Sequence, residues 1–404
     1  MNLYNNIIIH PFSSSVQEKR FLLSCNGLYY ETSLAVTELV ETLQQYQTEE
    51  EGIAAYIYRK EGKYTQEQVQ QVINKFIKPL FAATEKKRTF LYEKELFSAV
   101  TIDRFSDRFR FLFNKLGMLL VLLVTFILDA CFFLVTDNLL LFNSQVTVYV
   151  IVGLFVFMLL SSFFHELGHA SACKYFGLHH GGIGFGLYLN FPVLYTDVTE
   201  VWKLNRMQRC VVNIAGVYFQ SYWLLALLIA FLLTNNDMLR YLILTMNLSF
   251  LMTLNPFFKF DGYWIASDIL GVPNLRARSL ELLSYWYKRI CKYPIEKKPY
   301  LLQIRSLEKY GLLLYSIVYG LLLYSIVVNL FMGFYFFYII PRFFYRFVHT
   351  FPDKANELIL YLSNNMTPPF ALLRNIGSQL LFLMLIGYFL YRLVTPLMKR
   401  YVGR

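Results

Sequence analysis

Charged residues are scarce in this chain of 404 residues. Asp, Glu, Lys and Arg make up only 16% of it, whereas hydrophobic residues make up 56% and aromatic residues 18%. Soluble globular domains are seldom this apolar, so the composition excludes an ordinary soluble enzyme and indicates a membrane protein.

Cysteine is also rare, and its placement excludes a disulfide framework. The five cysteines, at positions 25, 131, 173, 210 and 291, show neither paired spacing nor a CxxC motif. We expect free thiols in a reducing compartment. The N-terminus lacks the apolar run of a cleavable signal peptide, so we expect the first segment of the chain to stay in the cytoplasm.

Acidic residues are outnumbered, with 27 Asp and Glu against 38 Lys and Arg, which gives a formal charge of +11. Most of the basic residues flank apolar stretches or occupy the long loop 257–309. This placement favours anionic lipid over nucleic acid as their counterpart.

Six apolar stretches are long enough to cross a bilayer, so the sequence predicts a mainly α, polytopic bundle of about six spans. They are 116–136, 146–176, 210–234, 239–257, 310–340 and 376–396. The distribution of Lys and Arg places the N-terminus inside, in the cytoplasmic (inner) membrane. Segment 341–375 fits less well, because it should lie outside yet carries four basic residues; either it is interfacial or the count is wrong by one.

The second apolar stretch contains His-Glu-x-x-His at 165–169. On a helix, residues four apart share one face, so His165 and His169 can hold one zinc ion while Glu166 acts as general base on water. Ionisable groups are costly within a bilayer and are functional candidates there. The pattern therefore predicts a membrane-embedded zinc metalloprotease.

A third ligand is expected where another span is interrupted. The fourth stretch ends in Asn255-Pro256 and continues to Asp261-Gly262. Pro256 breaks the helix, and Asp-Gly favours a turn that can aim a carboxylate back at the bundle. We predict Asp261 as the third ligand. Asn255 either donates a hydrogen bond to the oxyanion or substrate backbone, or caps the helix end.

His-Glu-x-x-His followed by Asn-Pro-x-x-x-x-Asp-Gly resembles the site-2 protease family of intramembrane zinc proteases, and the resemblance covers about 146–275. It departs at Ala215-Gly216-Val217, where many relatives have Ala-Gly-Pro. The resemblance implies a membrane-associated β-hairpin around Asn190, whose strand edge holds the substrate extended. Gly184, Phe185 and Gly186 are the predicted substrate-binding residues; the alternative is a merely structural loop.

The first eighty residues are of mixed polarity and predict a separate, winged-helix-like α+β domain. Asn26-Gly27 lies between β-prone runs and predicts a hairpin, and three short helices follow, two of them with the capping-box pairs Thr48/Glu51 and Thr65/Gln68. This plan resembles the PqqD-type domain, which implies capture of a leader peptide by strand addition. A DNA-binding winged helix or a structural appendage is the alternative, but the third helix is rich in amides rather than basic residues.

These inferences divide the chain into a recognition domain (1–80), a tether and juxtamembrane helix (81–115) and a transmembrane protease domain (116–404). The predicted function is hydrolysis of a peptide bond in a ribosomally synthesised precursor peptide. Two alternatives stay open: a regulatory intramembrane protease that cleaves a single-span protein, and a non-catalytic export adaptor that binds a leader. The expected partners are the precursor peptide, the bilayer and a peptide exporter or modifying enzyme, but not nucleic acid.

Overall fold

The computed structural model describes residues 3–82, 92–136, 148–188, 191–294, 300–320, 338 and 340–402. The chain divides into two compact units, Met1–Ile317 and Val318–Arg404. Every residue of the predicted site belongs to the first unit.

The first unit begins with a three-stranded antiparallel sheet in the order β1 (Ile8–Phe12), β2 (Arg20–Cys25), β3 (Leu28–Ser33). Asn26 and Gly27 connect β2 to β3 with φ angles of 51° and 73°. Two consecutive left-handed residues are what a tight hairpin turn of matching twist requires, so the predicted hairpin is confirmed. The sequence did not predict β1.

Three helical segments follow this sheet in the chain: α1 (Leu34–Gln45), α2 (Glu49–Arg59) and α3 (Gln66–Val72). A π-helical turn and α4 (Lys78–Ala82) continue α3. At the start of α3 both bonds of the capping box form, whereas Thr48 only accepts from the Glu51 amide. The buried core between sheet and helices includes the following residues: Leu23, Cys25, Leu39, Val40, Leu43, Ile53, Val69 and Ile73. The mixed α+β character is thus present, while assignment to the winged-helix or PqqD type stays a prediction.

Three helices in the described ranges are long and apolar enough to cross a membrane, namely Lys115–Val135, Val152–Tyr175 and Arg206–Thr234. They correspond to α6 (Lys115–Val135), α7 (Val148–Tyr175) and α8 (Arg206–Thr234), and an amphipathic helix α5 (Ala99–Phe109) precedes them. These match the first three predicted spans and indicate a membrane protein.

The other three predicted spans stay predictions. Stretch 239–257 falls on α9 (Asp237–Thr253), which has 17 residues, about 25 Å of helix. Most of 310–340 lies outside the described residues. Stretch 376–396 falls within α14 (Phe370–Val402), whose described apolar part is Phe370–Met384.

A second three-stranded antiparallel sheet, in the order β4-β5-β6, lies beside α7. Its strands are β4 (Glu93–Phe97), β5 (Ile183–Tyr188) and β6 (Phe191–Thr196). The predicted β-hairpin is therefore present as β5 and β6. The unpaired edge that we expected is not on β5, because β4 from the predicted tether pairs with that strand; β4 and β6 are the two edge strands of this sheet in the part of the chain described.

Two further helices lie in the first unit, α10 (Asp261–Leu270) and α11 (Leu275–Ile290), and α12 (Ser306–Gly320) begins in it. In the second unit α13 (Ile340–Ser363) precedes α14. Segment 341–375, which fitted the topology poorly, is thus mostly one helix with Pro352 inside it.

Candidate metal centre

The three predicted metal ligands converge, although Asp261 lies about a hundred residues from the histidines. Their candidate ligand atoms all lie within 4.8 Å of one another. Nε2 of His165 is 3.0 Å from Oδ2 of Asp261, and Nε2 of His169 is 3.3 Å from the same oxygen. The two Nε2 atoms are 3.2 Å apart.

This arrangement fits a tetrahedral zinc ion. With zinc–ligand distances of about 2.0–2.1 Å, ligand atoms on the edges of a tetrahedron lie about 3.3–3.4 Å apart. Oδ2 of Asp261 is also buried without a hydrogen-bond partner, although it lies close to both rings. A buried, unsatisfied carboxylate oxygen facing two imidazole nitrogens is a donor set that a cation would satisfy.

Helix α8 fixes the orientation of both histidines. Nδ1 of His165 donates to Oε1 of Gln220 at 3.1 Å, and Nδ1 of His169 donates to the carbonyl of Val212 at 2.8 Å. The Gln220 amide nitrogen donates in turn to Oγ of Ser161 at 2.9 Å, which sets the direction of the amide. With their protons on Nδ1, both rings present the Nε2 lone pair to Asp261.

Two glycines allow α7 and α8 to come close enough for these contacts. A Cβ atom at Gly216 would lie 2.4 Å from Cε1 and 2.5 Å from Nε2 of the His165 ring. A Cβ at Gly168 would lie 2.4 Å from the carbonyl oxygen of Ala215. At Ala215-Gly216-Val217, the departure from the family pattern, α8 is an uninterrupted helix.

The break between α9 and α10 places Asp261. Oδ1 of Asn255 accepts from the amide of Phe257 at 2.9 Å, which makes an Asx-type turn just after α9. A Cβ at Gly262 would lie 2.1 Å from the carbonyl oxygen of Leu254, so only glycine lets the start of α10 fold back onto the end of α9. A role of Asn255 toward substrate stays a prediction.

Glu166 is 7% exposed and follows His165 on α7. The hydroxyl of Thr196, at the end of β6, donates to the carbonyl of Glu166 at 3.4 Å. On the same side, the Phe97 ring of β4 packs edge-on against Phe163 with centroids 5.3 Å apart. The second sheet therefore contacts α7, while Gly184, Phe185 and Gly186 lie in its middle strand.

Sequence reasoning missed the role of α8. Its residues toward the site recur at intervals of three and four, so they share one helix face: Arg206, Arg209, Asn213, Gly216 and Gln220. Such a polar stripe in a membrane span is a readable signal, because polar groups in a span are costly unless they have partners. The sequence does not reveal which partners they have.

The chain is similar to part of a curated bacterial protein. It is 26% identical over 119 residues to a Bacillus subtilis (strain 168) protein named "Putative peptide zinc metalloprotease protein YydH". The match covers 29% of this chain and 47% of that protein, so this chain spans about half the length of the relative. No protein-family model matches the chain. No solved structure matches it either. The partial homology is consistent with a metalloprotease, and the group His165, His169 and Asp261 could hold a metal ion.

Proposed function

We propose that this protein is a membrane-embedded zinc metalloendopeptidase of the site-2 type that cleaves a ribosomally synthesised precursor peptide during its maturation. The observation that carries the proposal is the convergence of two imidazole nitrogens and one carboxylate oxygen, with both rings held in the metal-binding tautomer by α8. The name of the Bacillus subtilis relative supports the peptide substrate.

The residues of the site divide the chemistry between them. When bound, zinc would supply a Lewis acid that acidifies water and polarises the scissile carbonyl. Glu166 takes the proton of the attacking water and returns it to the leaving amine. His165, His169 and Asp261 would hold the ion, and the Asn255 amide donates to the substrate backbone or oxyanion.

An extended substrate suits this site, since an intact helix hides its peptide bonds. Edge strand β6 ends at Thr196, which contacts the Glu166 backbone, so a peptide paired with β6 would run toward the general base. The N-terminal region, residues 3–82, would capture the leader of the same precursor. This capture would raise the local concentration of the cleavage site near the metal centre.

The test is to co-express the protein with a precursor peptide encoded beside its gene and to measure cleavage by mass spectrometry. We expect Glu166→Gln to keep zinc, measured in the purified protein, and to lose turnover by about a hundredfold or more. Glu200→Gln, which changes a carboxylate paired with Lys203, is the matched control and should cleave normally.

Two outcomes would contradict the proposal. Substoichiometric zinc in the wild-type protein, together with leader binding, would favour the export adaptor. Cleavage of single-span proteins but of no small precursor would favour the regulatory intramembrane protease.

We propose further that the N-terminal region and the zinc site lie toward the cytoplasm. The native Cys291, exposed at the end of α11, should resist an impermeant maleimide in intact cells, whereas a cysteine introduced at Asn236, in the turn between α8 and α9, should react. The reverse labelling pattern would overturn this orientation.

A further inference from the structure

One end of α10 carries the metal ligand Asp261, and the other end is held by a buried cluster of polar contacts. Nε of Arg209 donates to Oδ1 of Asp268 at 2.6 Å, and Nδ2 of Asn213 donates to Oδ2 of Asp268 at 2.8 Å. Both side chains of the ion pair are almost fully buried, 3% exposed for Arg209 and 8% for Asp268. Both carboxylate oxygens of Asp268 are thus held by α8.

The segment between β1 and β2 contributes to the same cluster. The backbone amide and the hydroxyl of Ser15, which is fully buried, both donate to the carbonyl of Gly271 at 2.9 Å. The Arg209 guanidinium also donates to the carbonyl of Ser13 at 3.1 Å and lies 5.2 Å from the centre of the Phe12 ring. The N-terminal region is therefore joined to the far end of α10.

We propose that Asp268 is a positioning residue for the metal ligand Asp261, and that Arg209, Asn213, Ser15 and Gly271 form with it an anchor for α10. This inference rests on the proposed zinc site and extends it. The N-terminal region then does more than capture a leader, because its Ser15 completes the anchor.

The geometry of a short helix supports this role. Asp268 lies seven residues after Asp261, about 10.5 Å along the axis. A tilt of about 10° around the anchored end would move Asp261 by about 2 Å, whereas metal–ligand distances tolerate about 0.2 Å. Without the anchor at its Asp268 end, α10 would be free to tilt, and Asp261 at its start would not stay within that tolerance.

The same helix α8 also orients the histidines through Val212 and Gln220. Asn213 adjoins Val212 in the chain, so the anchor of α10 and the hydrogen bond to His169 arise within one turn of one rigid element. All three ligands therefore take their position from α8. Burial raises the pKa of the Asp268 carboxyl, and the adjacent Arg209 guanidinium opposes this shift.

The experiment compares full-length wild type, Asp268→Asn, Ser15→Ala and Asp261→Ala in detergent, together with the control Glu38→Gln. The control loses the partly exposed pair with Lys60 in the N-terminal region. Two quantities are measured: zinc affinity by chelator competition, and the visible ligand-field spectrum after substitution with Co²⁺, which reports ligand number and geometry. The unfolding temperature of the metal-free protein is recorded for each variant.

We expect Asp268→Asn to weaken zinc binding by about tenfold or more and to shift the Co²⁺ spectrum toward that of Asp261→Ala. Ser15→Ala, which loses one hydroxyl donor but keeps its amide, should weaken zinc binding by about fivefold or less. Glu38→Gln should match wild type. If Asp268→Asn does not fold, Asn213→Ala, which removes one partner of Asp268, takes its place.

Wild-type zinc affinity and Co²⁺ spectrum in Asp268→Asn would overturn the inference, and a lowered unfolding temperature alone would show a merely structural ion pair. Absence of zinc binding in the wild-type protein would instead contradict the proposed function. The two failures are therefore distinguishable.

Discussion

The N-terminal region, Leu3–Ala82, and the metal centre are built in opposite ways. In the N-terminal region the hairpin turn and the helix starts are made by residues two or three positions apart, such as Thr65 and Gln68. In the metal centre the decisive contacts join residues 43 to 96 positions apart, such as His169 with Val212 and His165 with Asp261. Patterns of neighbouring residues therefore specify a turn or a helix start, whereas a metal site between membrane helices depends on how closely those helices approach one another.

The largest predicted effect on zinc binding comes from removing one of the three metal ligands. Asp261→Ala removes the only carboxylate of the metal-binding group, so we expect zinc content to fall below about a tenth of that of wild type and cleavage to vanish. Metal analysis of the purified protein measures it. Asp237→Ala, at the exposed start of α9, is the matched control and should keep zinc. Full zinc content in Asp261→Ala would remove this residue from the site.

The second prediction concerns the close approach of α7 and α8 at Gly216. Gly216→Ala places a methyl group within 2.4 Å of the His165 ring, so the ring or the helix must move. We expect zinc affinity to fall by about ten- to a hundredfold, measured by chelator competition. Gly153→Ala in α7 is the control, since a Cβ there meets no atom within 4 Å. Equal affinity in the two variants would show that the close approach is not needed.

A smaller effect should come from the partner of His165. Gln220→Leu removes the acceptor for Nδ1 of His165, which then loses its fixed tautomer and orientation. We expect zinc affinity to fall by about tenfold. Gln220→Glu keeps an acceptor oxygen and should restore most of the affinity. If Leu and Glu behave alike, packing rather than the hydrogen bond determines the effect.

The contrast also explains what the sequence could predict. His165, Glu166, His169 and Asp261 were identified from the chemistry that their types and spacing allow, and the structure brings the three ligands together. Asn26-Gly27 predicted its hairpin because few other residues adopt two left-handed conformations in succession. In both cases the information lies within a few neighbouring residues.

What the sequence could not predict depends on partners distant in the chain. Strand β4 has no strong local signal, and its partner β5 lies about ninety residues later in the chain. No role for Asp268 was predicted, because its partners Arg209 and Asn213 come from another helix. The spacing of residues along one helix does not reveal which residues of another helix they contact, because the sequence does not give the relative position of the two helices.

The smallest effect tests the other side of the comparison, the local one. Thr65→Ala removes the side chain that accepts from the Gln68 amide and opens the capping box at the start of α3. A lost N-cap costs about 1 kcal/mol, so amide hydrogen exchange in α3 should quicken by about fivefold in the full-length protein. Thr48→Ala is the matched variant at the start of α2, where only one capping bond forms, and its effect should be smaller.

Neither threonine variant should change zinc affinity. Helix α3 packs through Val69 against the core of the N-terminal region, and its cap involves no residue of the α10 anchor. Faster exchange confined to α3 would show that this cap acts locally, in contrast to Ser15, whose bonds reach Gly271. If Thr65→Ala weakened zinc binding as much as Gln220→Leu, the cap would be coupled to the metal centre, and the distinction between a locally specified region and a site assembled over long distances would fail.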